Sequence, residues 1–166
     1  MRNKLIVAAL VVVGLSSVAY AAYAQLLTIN GTSTAAGTWD VAITGITQTS
    51  ATGATDNVAP SFNATTATFD VDLAYPGATA TYDITVENNG TIPAKITTID
   101  GVTQANAAAP TYIDYTLSGV AVNTTISANG GTNTATVTVE WDPASSPVTT
   151  GTSKTATITL DYSQDT

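Results

Sequence analysis

The sequence predicts a single all-β sandwich, jelly-roll or immunoglobulin-like, of about seven or eight strands. Three observations predict it. Apolar and polar residues alternate in segment after segment, the period of a half-buried strand. Turn chemistry separates those segments: Pro76-Gly77, Asn88-Asn89-Gly90, Asn129-Gly130-Gly131 and Asp142-Pro143. Threonine, β-branched and suited to the solvent face of a sheet, makes up about a fifth of the chain.

The chain opens differently. Arg2 and Lys4 precede an apolar run from Leu5 to Leu15, and small residues lead to Ala22-Tyr23-Ala24. Charge, apolar stretch and A-x-A site in that order predict a cleavable signal peptide over 1–24 and a secreted, extracellular product. The run is too short to be read first as a membrane span. Residues 25–37 follow as a short strand on a tether: Leu27 and Ile29 share one face, and Gly31, Ser33, Ala35, Ala36 and Gly37 are small or flexible. Such a strand either pairs within its own sandwich or completes a neighbour's sheet. Pattern alone leaves both open.

The sandwich domain is expected over 38–166. Trp39, Val41 and Ile43 define one face of a first strand over 38–46. The polar, Gly- and Ser-containing stretch 47–65 reads as a long surface loop. Ala67, Phe69, Val71 and Leu73 then oppose Thr68, Asp70 and Asp72. The cleanest strand is 79–86, with Ala80, Tyr82, Ile84 and Val86 on one face and Thr79, Thr81, Asp83 and Thr85 on the other. Less regular strands are expected over 92–99, 111–117 and 120–126, with room for one helical turn over 104–109. Alternation returns over 134–141, with Ala135, Val137, Val139 and Trp141 inward, and over 155–162, with Ala156, Ile158, Leu160 and Tyr162 inward.

Charge excludes several functions. Without Arg2 and Lys4, two lysines face 12 acidic residues, a formal charge of −10. Nothing on such a chain neutralises phosphates, so nucleic acid and anionic lipid are not expected partners. With no His and no Cys, the usual general base, the thiol nucleophile and the commonest zinc ligands are missing. No enzyme activity, cofactor, metal or small-molecule substrate is expected. Asp70 and Asp72, the nearest approach to a glycosidase pair, lie on the polar face of a strand. They and the pair Asp40 and Asp56 lack the spacing of a calcium loop.

Four Asn-x-Thr sequons mark candidate N-glycosylation acceptors at Asn30, Asn63, Asn89 and Asn123. Lys95 and Lys154 are the only lysines of the expected mature chain, where Lys–Asn or Lys–Asp crosslinks would have to form; ordinary surface lysines are the simpler reading.

Three stretches resemble the TasA/camelysin-like family of secreted matrix-fibre proteins, which includes archaeal bundling-pilus subunits. They are Leu26-Leu27-Thr28-Ile29-Asn30-Gly31-Thr32, directly after the signal; Leu73-Ala74-Tyr75-Pro76-Gly77, continuing through Thr81–Val86 to Asn88-Asn89-Gly90-Thr91-Ile92-Pro93-Ala94; and Ile158-Thr159-Leu160-Asp161-Tyr162-Ser163-Gln164. The resemblance implies a jelly-roll subunit of a pilus or biofilm-matrix fibre, polymerising head to tail when one copy's N-terminal strand enters the next. On that reading Leu26, Leu27, Thr28 and Ile29 form the donor strand. The expected partner is the chain itself, with neighbouring filaments or a cell surface beyond it. The alternative is a monomeric surface module for adhesion, carbohydrate or S-layer binding.

Overall fold

A computed structural model describes residues 31–148 and 154–165. The signal peptide and the strand residues Leu26, Leu27, Thr28, Ile29 and Asn30 lie outside the described residues. The chain divides into two compact units, 1–35 and 36–166, and the architecture below is that of the second.

It is an all-β sandwich with nine strands among the described residues. In chain order they are β1 (Val41–Thr52), β2 (Ala54–Phe62), β3 (Ala67–Leu73), β4 (Thr79–Asn88), β5 (Ala94–Asp100), β6 (Ile113–Ser118), β7 (Thr125–Ile126), β8 (Gly131–Trp141) and β9 (Thr159–Gln164). One short helix, α1 (Val102–Ala107), stands between β5 and β6. An unbroken antiparallel sheet of order β1-β4-β8-β6 forms one layer. Facing it are two separate pieces, β2-β3 and β7-β5-β9.

The four-stranded sheet follows directly from alternation. β4 and β8 pair without a register shift, Tyr82 opposite Val137 and Ile84 opposite Ala135. Every inward residue expected on these strands is buried: Ala80, Tyr82, Ile84 and Val86 with Ala135, Val137, Val139 and Trp141. Their removal from water is the main favourable contribution to folding, about 1.5–3 kcal/mol for each large side chain. On the outer face the Thr81 and Thr138 hydroxyls are 3.1 Å apart, and Thr136 donates to Asp83 at 2.6 Å. Threonine hydroxyls and a carboxylate thus hydrate a face that carries few charges.

Three expectations are corrected. The stretch 47–65 is not a loop: β1 runs on to Thr52, Gly53 turns at φ +60°, and β2 returns. Its threonines favour extended backbone even where neither face is deeply buried. Trp39 lies before β1 and is 47% exposed rather than inward. The strand expected over 120–126 shrinks to Thr125–Ile126, because Asn123 adopts a left-handed φ of 73° that a strand cannot continue through.

Turns are closed by side chains as well as backbone. Asn88 is fully buried; its Nδ2 donates to the Ile92 carbonyl at 2.8 Å and its Oδ1 accepts from the Gly90 amide at 3.1 Å. Both polar ends are satisfied, which makes burial of an amide tolerable.

Candidate functional site: an open seam in one layer

The second layer has a gap. β3 pairs only with β2, and β9 only with β5, so each presents a second backbone edge with no strand partner among the described residues. Between those edges lies a groove of about 860 Å³. Its floor is the inner face of the four-stranded sheet, at Ile84, Val86, Ala135, Val137 and Leu117. One rim is 64–70, leading into and along β3. The other is 154–160, leading into β9.

The second rim is the informative one. Residues 154–158 keep a strand's alternation: Ala156 and Ile158 are half-buried against the core, while Thr155 and Thr157 face out. Yet this stretch joins no sheet. Side chains and a close approach hold it instead. The Tyr115 hydroxyl donates to the Lys154 carbonyl at 2.9 Å. The Lys154 ammonium donates to the Ile113 carbonyl and, at 3.4 Å, to the Asn106 carbonyl. Asn106 in turn bridges to the backbone of Tyr115, accepting at 2.8 Å and donating at 2.9 Å. Gly101, at φ +102°, approaches so closely that a Cβ there would meet the Thr157 carbonyl oxygen at 1.8 Å.

The two rims run in opposite senses. Ala64 accepts from Ile43 near the start of β1, and Ala74 donates to Gly53 just beyond its end. Lys154 lies by Ile113 and Tyr115, whereas Tyr162 packs at the other end against the cluster of Val86, Ala94 and Ile126, on which Val41 also packs. A strand entering the gap therefore runs parallel to one neighbour and antiparallel to the other. It would join the two pieces into one sheet of order β2-β3-insert-β9-β5-β7.

The edges are treated unequally. β1 carries two bulges; β2 carries two more together with Pro60. β6 has six residues and β7 two. Bulges, proline and brevity discourage edge-to-edge pairing. The bulge in the β5–β9 ladder falls on β5, at Thr97. β3 and 154–164 have no bulge and no proline of their own. The edges lining the seam are thus the unguarded ones.

Beside the seam, β2, β3 and β4 are tied together. Phe69 stacks on Tyr82, with ring centroids 4.2 Å apart and planes inclined by 17°. The Tyr82 hydroxyl donates to Asp56 Oδ1, which also accepts from Gln48 Nε2 at 2.9 Å; that same amide lies 3.1 Å from the hydroxyl. Burial, reinforced by Asp56, pushes the Tyr82 hydroxyl well above the usual tyrosine value. Nothing in the sequence pattern singled out this triad, because its members are far apart in the chain.

Other residues singled out by sequence fall as follows. Asp70 and Asp72 lie on the exposed face of β3; Asp70 accepts from Asn57 Nδ2 at 3.1 Å. Among the described residues no three acidic side chains gather as a metal cluster. Lys95 forms an ion pair with Asp165 at 3.1 Å, and the Lys154 ammonium meets backbone carbonyls, as above. Asn63 occupies the β2–β3 turn, Asn89 the β4–β5 turn and Asn123 the loop before β7. Comparisons with protein-family models, with curated proteins and with solved structures give no match.

Proposed function

We propose that this chain is a secreted structural subunit that polymerises by strand complementation, the N-terminal strand of one copy completing the seam of the next. The observation that carries the proposal is the gap between β3 and 154–160: an apolar floor between two facing, unguarded backbone edges. An inserted strand supplies ladder hydrogen bonds to both rims and a side chain to the floor at every second position. β3 has seven residues, and the segment 25–32 is long enough to match it.

The N-terminal segment has the matching pattern, with Leu27 and Ile29 on one face and Leu26, Thr28 and Asn30 on the other. Burying Leu27 and Ile29 contributes about 1.5–3 kcal/mol each before ordering costs. A head-to-tail contact of this kind does not close on itself, so repetition makes a fibre. The resemblance to matrix-fibre and pilus subunits supports the same reading, as does the absence of His and Cys.

The test is negative-stain electron microscopy of the chain beginning at Gln25, beside Leu27→Asp. Regular filaments from the parent chain and none from Leu27→Asp are expected, with matching far-ultraviolet circular dichroism. Normal filaments from Leu27→Asp would remove the donor assignment.

A further inference from the structure

We propose that Asn63 is an N-glycosylation acceptor and that, among the described Asn-x-Thr sites, it is the one the fold presents ready for transfer. An amide nitrogen is a poor nucleophile, because its lone pair is shared with the carbonyl. Transfer therefore depends on an enzyme reaching both the amide nitrogen and the threonine of the sequon, which calls for an exposed turn.

The β2–β3 turn meets that need. Asn63 Oδ1 accepts from the Thr65 amide at 2.9 Å, from Thr65 Oγ1 at 3.1 Å and from the Thr66 amide at 2.9 Å. The carbonyl end of the side chain is thereby fixed onto its own turn. Nδ2 makes no hydrogen bond with the described residues, and residues 63–66 are all exposed. The contacts of Oδ1 are local in sequence, and the turn's one tie to β1 runs through the Ala64 carbonyl, which accepts from the Ile43 amide at 2.8 Å and leaves the Asn63 side chain outward.

The other described sequons are held differently. Asn123 donates its backbone amide to the Ile96 carbonyl at 2.8 Å, and Thr125 is paired in β7 opposite Lys95. In the Asn89 sequon, Thr91 Oγ1 accepts from the Thr38 amide at 2.9 Å, and the Thr91 amide donates to the Thr38 carbonyl at 3.0 Å. In both, the backbone of the threonine is paired with another element of the fold, and in the Asn89 sequon its hydroxyl is engaged as well.

The co-reactant is an oligosaccharide linked to a lipid phosphate. Nδ2 attacks the anomeric carbon; the C–N bond forms as the bond from that carbon to the phosphate oxygen breaks. Lipid phosphate leaves with the electron pair, and the amide proton passes to solvent.

The experiment uses protein recovered from outside the source cells, since transfer of this kind follows export and so rests on the secreted reading. Cleavage after aspartate isolates residues 57–70, which contain no other sequon. Mass spectrometry should find this peptide carrying sugar residues and the Asn89 and Asn123 peptides bare. Asn63→Asp keeps the Oδ1 acceptor and removes Nδ2, and Thr65→Ala removes the hydroxyl; each should abolish the added mass while the protein still folds. An unmodified 57–70 peptide in exported protein would overturn the proposal while leaving export intact. Failure to find the protein outside the cell would overturn both.

Discussion

The Tyr115 hydroxyl and the Lys154 carbonyl are joined by a 2.9 Å hydrogen bond, and that bond ties the unpaired rim of the seam to the sheet beneath it. Tyr115 is buried in β6, whereas the stretch beginning at Lys154 has no ladder to hold it. The rim is thus held from below, and its outward backbone edge has no strand partner among the described residues.

Tyr115→Phe removes this bond and little else. A net loss of about 1 kcal/mol is expected, read as a lower urea midpoint at unchanged slope. Hydrogen exchange of amides in 154–158 should rise more than exchange in β4 or β8. An unchanged midpoint and unchanged exchange would show that the bond does not hold the rim.

Gly101→Ala strikes the same rim from the other side. The added Cβ collides with the Thr157 carbonyl oxygen, at a backbone φ that side chains rarely adopt. A loss of about 2–3 kcal/mol is expected from strain and displacement together. A thermal midpoint within a degree of the parent would contradict the close approach of Gly101, just before α1, to Thr157 and Ile158.

Alkaline pH should weaken the fold. Burial pushes the hydroxyls of Tyr82, Tyr115 and Tyr162 above the ordinary tyrosine value of 10.0. Below that value both folded and unfolded chains hold these protons, and the contribution is complete. Above it the unfolded chain releases protons that the folded chain retains, so stability falls as pH rises. The slope is at most about 1.4 kcal/mol per pH unit for each such hydroxyl. Urea midpoints should be level between pH 8 and pH 9 and fall steeply above 10. A midpoint that stays level through pH 11 would contradict this account.

The layered core was legible because period two fixes which side chains face inward. The inward residues of β4 and β8 were all readable that way. The same reasoning placed Ala156, Ile158, Leu160 and Tyr162 inward, and it holds there too, although these four are only half-buried. The shortfall is the seam itself: among the described residues the layer to which they belong lacks a strand beside them.

Other features lay beyond the reach of pattern. Alternation assigns faces and not neighbours, so the separation of β3 from β9 could not be read from the chain. The β1–β2 hairpin was hidden because Thr47, Thr49, Thr52 and Thr55 look like loop residues until cross-strand partners are known. The Gln48–Asp56–Tyr82 triad depends on three strands meeting. Asn63 was visible as a sequon, but its turn, with Thr65 and Thr66 folded back onto Oδ1, needed three-dimensional structure to distinguish it from the others.

The central claim, that a strand from one copy fills the seam of another, is tested most directly by mixing two variants that each fail alone. Leu27→Asp impairs the donor. Ala156→Asp places a carboxylate in the apolar groove and impairs the acceptor, at the loss of a single methyl group from the core. Each should be monomeric by light scattering. Mixed in equal amounts, they should form a one-to-one dimer and no longer species, since only one donor and one acceptor remain competent. Persistent monomers in the mixture, or filaments from either variant alone, would contradict complementation between copies.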